Sequence, residues 1–290
     1  MNHAPRLILL LFVVIGISVV KVSPVLALRP FVTTDADVAD PYEVELELGI
    51  FGFTVETEPG PDEVRIQSPA FRFNLGLPNL GFTGDWEIVL ESVHEFIDKE
   101  QEDGDFDSDI NQFKATGGFF KNVWYRGEGW IPNFATEVGL LMPTERGAER
   151  ARGADFEGLT IFTWFFPRVT WHMTLGGATF HTGKEEPGET RGALIYGTIL
   201  DAPIPGHEKF HLVSEYSMEK VEEKEIEHQL LGGMVYHGPW GMDWDAAGFG
   251  GLSTESTDWG ITAGVTISTK VVRRRDWEMK RGWRGWRLRK

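Results

Sequence analysis

The stretch Glu43-Val44-Glu45-Leu46-Glu47-Leu48-Gly49-Ile50 alternates acid with aliphatic from its first residue to Leu48. Successive side chains of an extended chain point to opposite faces, so one face of this segment is carboxylate and the other hydrocarbon. The same rhythm returns in Asp85-Trp86-Glu87-Ile88-Val89-Leu90-Glu91, in Arg168 to Leu175, and in Asp258 to Ile267. Less regular extended segments lie between them at 66–77, 112–125, 134–142, 157–166, 192–200, 209–218, 228–237 and 241–246. About twelve strands result, most with the roughly 9–11 residues that a tilted membrane strand needs. No amphipathic helix of useful length interrupts them.

The connections carry the second half of the argument. Links at 55–64, 97–110, 143–155, 181–191 and 219–227 are longer than their neighbours at 78–83, 126–132, Pro167, 201–206 and 238–240. Only the last link, 253–257, breaks the alternation. Long loops at one end and tight turns at the other are the habit of a bacterial outer-membrane barrel. A soluble β-sandwich has no reason to sort its loops this way. The expected fold is therefore all-β: an antiparallel transmembrane barrel of about twelve strands, with both termini in the periplasm.

Composition narrows the functions. The 290 residues include no cysteine, which excludes disulfides and thiolate chemistry. Net charge is −16, unevenly spread: residues 270–290 carry ten Lys or Arg against two acids. That leaves the body, 28–269, near −26, a charge that repels nucleic acid. At the start, Arg6, the apolar run Leu7 to Val20 and Val25-Leu26-Ala27 have the layout of a cleavable signal peptide over 1–27. The apolar run is shorter than the roughly 20 residues a spanning helix requires. The expected organisation is leader 1–27, barrel 28–269 and a basic tail 270–290. In the tail, Trp277, Trp283 and Trp286 stand among arginines and suit an anionic membrane surface. Trp86, Trp124, Trp164, Trp171, Trp240 and Trp259 fall near strand ends or on apolar faces, where interfacial girdles belong.

If the aliphatic faces meet lipid, the carboxylates line the lumen. This places Glu43, Glu45 and Glu47 on the first strand, Glu87 and Glu91 on the third, and Asp243 and Asp245 on the eleventh facing inward. Arg72, Lys114 and Arg168 are the candidate lumen bases. An acid-rich lumen favours cations; the alternative is a hydrated wall whose acids are each neutralised by a neighbour. The alternate acids of Asp103-Gly-Asp105-Phe-Asp107-Ser-Asp109 suit Ca²⁺, but the EF-hand spacing fails and a solvated loop is expected instead. Glu219, Glu222, Glu223, Glu225 and Glu227 read as a charged outward tip. His211, Glu215 and Ser217 share a face, yet residues four apart on a strand are roughly 13 Å from each other, too far for a catalytic couple. No catalytic residue, metal or cofactor is expected.

The opening of the mature chain adds a resemblance. Arg29-Pro30-Phe31-Val-Thr-Thr34-Asp35-Ala-Asp37, followed by Tyr42-Glu43-Val-Glu45-Leu-Glu47, resembles the start of a family of outer-membrane barrels assigned as transporters of the meta-pathway of phenol degradation. The match covers residues 29–50. It departs in the Ala36 that separates Asp35 from Asp37, and in the twenty or so residues after Thr269, where such barrels end on an aromatic residue. The resemblance implies passive diffusion of aromatic or hydrophobic solutes through the lumen. The expected partners are outer-membrane lipid, small solutes and the barrel assembly machinery. Oligomeric state is open.

Overall fold

Strand alternation closes into a ring. The computed structural model describes residues 34–56, 63–78, 84–100, 106–144, 153–181, 190–254 and 256–270. Twelve strands run in chain order: β1 (Glu43–Glu56), β2 (Glu63–Leu77), β3 (Asp85–Glu100), β4 (Phe106–Tyr125), β5 (Asn133–Met142), β6 (Asp155–Phe166), β7 (Val169–His181), β8 (Thr190–Ile204), β9 (His207–Val221), β10 (Ile226–His237), β11 (Met242–Gly251) and β12 (Trp259–Lys270). Each pairs antiparallel with its chain neighbours, and β12 returns to β1 in the register Glu45↔Ser268, Glu47↔Thr266. Closure satisfies every strand edge within the sheet, the condition for crossing hydrocarbon without helices. Among the described residues no helix is long and apolar enough to cross a membrane.

The period-2 pattern decides which way each side chain points. On β1, Glu43, Glu45 and Glu47 are buried inside the ring, while Val44, Leu46 and Leu48 are partly exposed on its outside. The outer surface carries Ile50, Phe71, Leu90, Phe120, Leu140, Leu175, Leu212 and Ile261, all more than a third exposed. A continuous apolar surface of this kind is what a membrane barrel presents to lipid. Aromatic rings gather toward the end where β1 begins. Trp164 stacks on Trp171 at 4.7 Å, Trp86 meets Trp124 edge-on, and Trp130 packs against Phe166. Trp240 stands in the β10–β11 connection, whereas Trp259 lies at the opposite end beside Phe53.

The strands run further than alternation alone indicates. The 97–110 link shrinks because β3 extends to Glu100 and β4 starts at Phe106, so Asp107 and Asp109 are strand residues rather than loop acids. Asp103 and Asp105 fall outside the described residues. Glu219 and Glu227 likewise belong to β9 and β10, not to a loop tip. In each case cross-strand hydrogen bonding continues through residues whose polarity signals a loop. The leader, the motif residues Arg29, Pro30 and Phe31, and the tail beyond Lys270 also lie outside the described residues.

The candidate functional site in the lumen

Two cross-strand rows of charge organise the interior. In the first, Arg72 on β2 faces Glu47 on β1 and Glu91 on β3. Its guanidinium donates to Glu91 Oε2 at 3.1 Å and reaches across to both carboxylate oxygens of Glu137 at 3.1 and 2.9 Å. In the second, Lys121 on β4 stands between Glu87 on β3 and Glu137 on β5. Each cation is thus flanked by opposite charges directly across the sheet, the arrangement that stabilises a pair of strands. Lys121 is 1% exposed. Burying an ammonium that deeply is tolerable only with close carboxylate partners.

The second row holds something further. Residues 34–40, preceding β1, fold into the barrel and lie across its inner wall. Lys121 Nζ donates to Thr34 Oγ1 at 3.1 Å and to Asp35 Oδ1 at 3.2 Å. Thr174 Oγ1 donates to the Thr34 carbonyl at 3.0 Å. The Ala36 amide donates to Thr163 Oγ1 at 2.9 Å, and that hydroxyl also bonds His172 Nδ1 at 2.9 Å. The Ala39 amide donates to Glu87 Oε2 at 2.6 Å, and the Asp40 amide to Glu43 Oε2 at 3.1 Å. Ala36 packs into an apolar cluster with Val123, Ala135, Leu159 and Ile161, joined by Val38. Gly76 on β2 makes the close approach feasible, since a Cβ there would collide with the carbonyls of Ala39 and Asp40.

At the rim, Arg126 bridges Asp37 at 2.6 Å and Asp85 at 3.3 Å. Although one side of Asp37 meets solvent, the surrounding wall pushes its carboxyl above the usual range. The adjacent Asp35 charge adds to the shift, and Arg126 pulls the other way.

Beyond the segment, toward the opposite mouth, lies a cavity of about 290 Å³. Among the described residues, Glu91, Glu137, Glu157, Glu219 and Glu227 line it together with a single base, Arg72; Phe119, Leu159 and Ile195 give it an apolar side. Thr34 is part of its lining, so the N-terminal segment and the cavity meet. The volume corresponds to about ten waters, or to one small organic molecule.

The seven acids expected in the lumen therefore divide. All are inside the ring, but only Glu91 borders the cavity. Glu43 and Glu87 hold the N-terminal segment. Glu45 accepts from Ser268 Oγ at 3.1 Å and Glu47 from Asn74 Nδ2 at 2.8 Å. Asp243 sits 3.1 Å from His237, whose ring meets His211 edge-on; His211 in turn contacts Asp201 at 2.6 Å rather than Glu215. Asp245 is buried beside them on β11. Of the expected bases, Arg72 is inside, Arg168 is exposed in the β6–β7 turn, and the Lys114 side chain lies outside the described set. Lys121, Glu137 and Glu157 escape a strand-by-strand scan. What finds the first two is opposite charge at matching register on adjacent strands. Of the motif acids, Asp35 and Asp37 both lie in the N-terminal segment.

An outer membrane channel from Pseudomonas putida F1 superposes on this structure with a TM-score of 0.61. Identity is 6%, over 86% of this chain and all of that one. The beta domain of the Bordetella autotransporter BrkA superposes with a TM-score of 0.51 at 12% identity, over 78% of this chain and 98% of the other. The chain has the fold of an outer-membrane barrel. No protein family and no curated protein matches its sequence.

Proposed function

We propose that this protein resides in the outer membrane, both termini in the periplasm, and serves as a channel for passive diffusion of small solutes, with a preference for cations. The observation that carries this reading is the cavity: among the described residues, five carboxylates against one guanidinium, inside a closed ring whose exterior is hydrocarbon. A low-dielectric wall focuses the field of those acids and raises the local concentration of cations. The apolar side formed by Phe119, Leu159 and Ile195 suits solutes with a hydrophobic body. That accords with the aromatic compounds implied by the resemblance of residues 29–50 to the phenol-pathway barrels. The fold shared with the Pseudomonas putida channel supports the same conclusion at the level of architecture.

The test is reversal potential in a planar bilayer under a salt gradient. Cation preference is expected, and Arg72→Met, which removes the one base among the described lining residues, should increase it. A potential of the opposite sign overturns the assignment. A second reading, a structural barrel with a shut lumen, is favoured by the burial of residues 34–40 against the wall. On that reading neither the wild type nor any variant conducts.

A further inference from the structure

We propose that residues 34–40 form a displaceable strap, locked by the Lys121–Asp35 ion pair, and that its withdrawal from the wall opens the conducting path. This rests on the channel reading and adds a gate to it.

Three features separate the strap from the barrel that holds it. The strap makes no ladder with any strand. Its Ala36, Ala39 and Asp40 amides are satisfied by the side chains of Thr163, Glu87 and Glu43, and the nearest backbone bonds are the turn Glu43 to Asp40 and Tyr42 to Gly76. The sheet is complete without it, because β1 pairs with β2 on one side and β12 on the other. Withdrawal therefore breaks side-chain contacts and at most the Glu43–Asp40 turn, and it leaves no strand edge open.

Its apolar anchors are small. Ala36 and Ala39 expose little hydrocarbon when they leave, and Val38 is already partly exposed at the cluster. The polar lock is matched on both sides of the transition. Lys121 stays opposite Glu87 and Glu137 after Asp35 departs, while Asp35 and Asp37 gain water. Lys121 thus exchanges one carboxylate for others instead of becoming an orphaned buried charge.

The strap is also hinged. Tyr42, directly before β1, has φ +65°, a conformation that side chains other than glycine rarely take. The chain there turns sharply from the wall into the first strand, so rotation about one residue carries the strap inward or outward.

Because the chain has no cysteine, single thiols report on the strap without background. Ala36→Cys places a thiol at a fully buried strap position. In otherwise native protein, folded in vesicles, a small polar thiol reagent should label it slowly. With Lys121→Met or Asp35→Asn added, labelling should accelerate tenfold or more, and bilayer conductance should rise several-fold. Asp35→Asn alters the strap alone, so it keeps the test valid if Lys121→Met impairs folding. A disulfide between Ala36→Cys and Thr163→Cys should return the Lys121→Met or Asp35→Asn channel to low conductance, and reductant should release it.

Unchanged labelling in both variants overturns the strap, whatever the conductance. Faster labelling with measurable but unaltered conductance overturns the gate and leaves the channel standing. Absence of conductance in every variant, including those with fast labelling, defeats the channel reading itself.

Discussion

The Arg72 row and the Lys121 row are built alike, a cation between two carboxylates across three strands, yet they meet opposite surroundings. Arg72 and Glu91 keep side chains about a quarter exposed and border the cavity. Lys121 is closed over by Thr34 and Asp35 and has almost no access to water. The difference is made by seven residues that belong to no strand. The sheet supplies the same electrostatic unit twice, and the segment lying over one copy turns it from a lumen lining into a buried lock. Solvent near Arg72 can take over the role of a lost partner; beneath the strap no solvent reaches Lys121 unless the strap moves.

That contrast sets the order of expected effects. Lys121→Met should be the most damaging, because it leaves the buried Asp35 carboxylate without its cation; breaking a buried pair costs about 3–5 kcal/mol. Denaturant unfolding in micelles or vesicles measures it. A loss below about 1 kcal/mol would show that burial beneath the strap counts for nothing. Arg72→Met should cost less, about 1.5–3 kcal/mol, the range for hydrogen bonds to charged groups, since cavity water reaches Glu91. If it proves costlier than Lys121→Met, the ranking of the rows is reversed.

Thr163→Val removes the acceptor for the Ala36 amide and the partner of His172 while conserving shape. Leaving a buried donor unsatisfied costs about 1–3 kcal/mol. In native-state hydrogen exchange the loss should appear at the amides of the strap and not in the β6–β7 ladder. Arg126→Gln should be mildest, at or below about 1 kcal/mol, because its pairs with Asp37 and Asp85 sit half-exposed at the rim. Its effect should shrink further in high salt, whereas that of Lys121→Met should persist.

Much of the barrel was legible before any coordinates. The alternation in Glu43 to Leu48 and Asp85 to Glu91 set which faces turn inward, since a two-residue period has only two phases and hydrocarbon chooses between them. Strand ends were less legible: Asp107, Asp109, Glu219 and Glu227 look like loop residues because polarity marks both exposed turns and strand ends projecting beyond a membrane. Within the lumen, side alone could be foreseen, not occupation. Glu87 was expected to meet solutes and instead grips the Ala39 amide. Lys121 drew no notice because its meaning lies in Glu87 and Glu137, which are distant in sequence and adjacent only through register.

The sequence by itself determined a closed sheet of alternating strands, acidic within and greasy without, because that choice depends only on neighbours along the chain. The tertiary structure decided which acids face open space, and that Thr34 to Asp40 would lie inside the ring. That stretch has no periodicity to announce it; its place is set by a hydroxyl on β6, a carboxylate on β3 and an ammonium on β4. Those groups become a single surface only once twelve strands have closed.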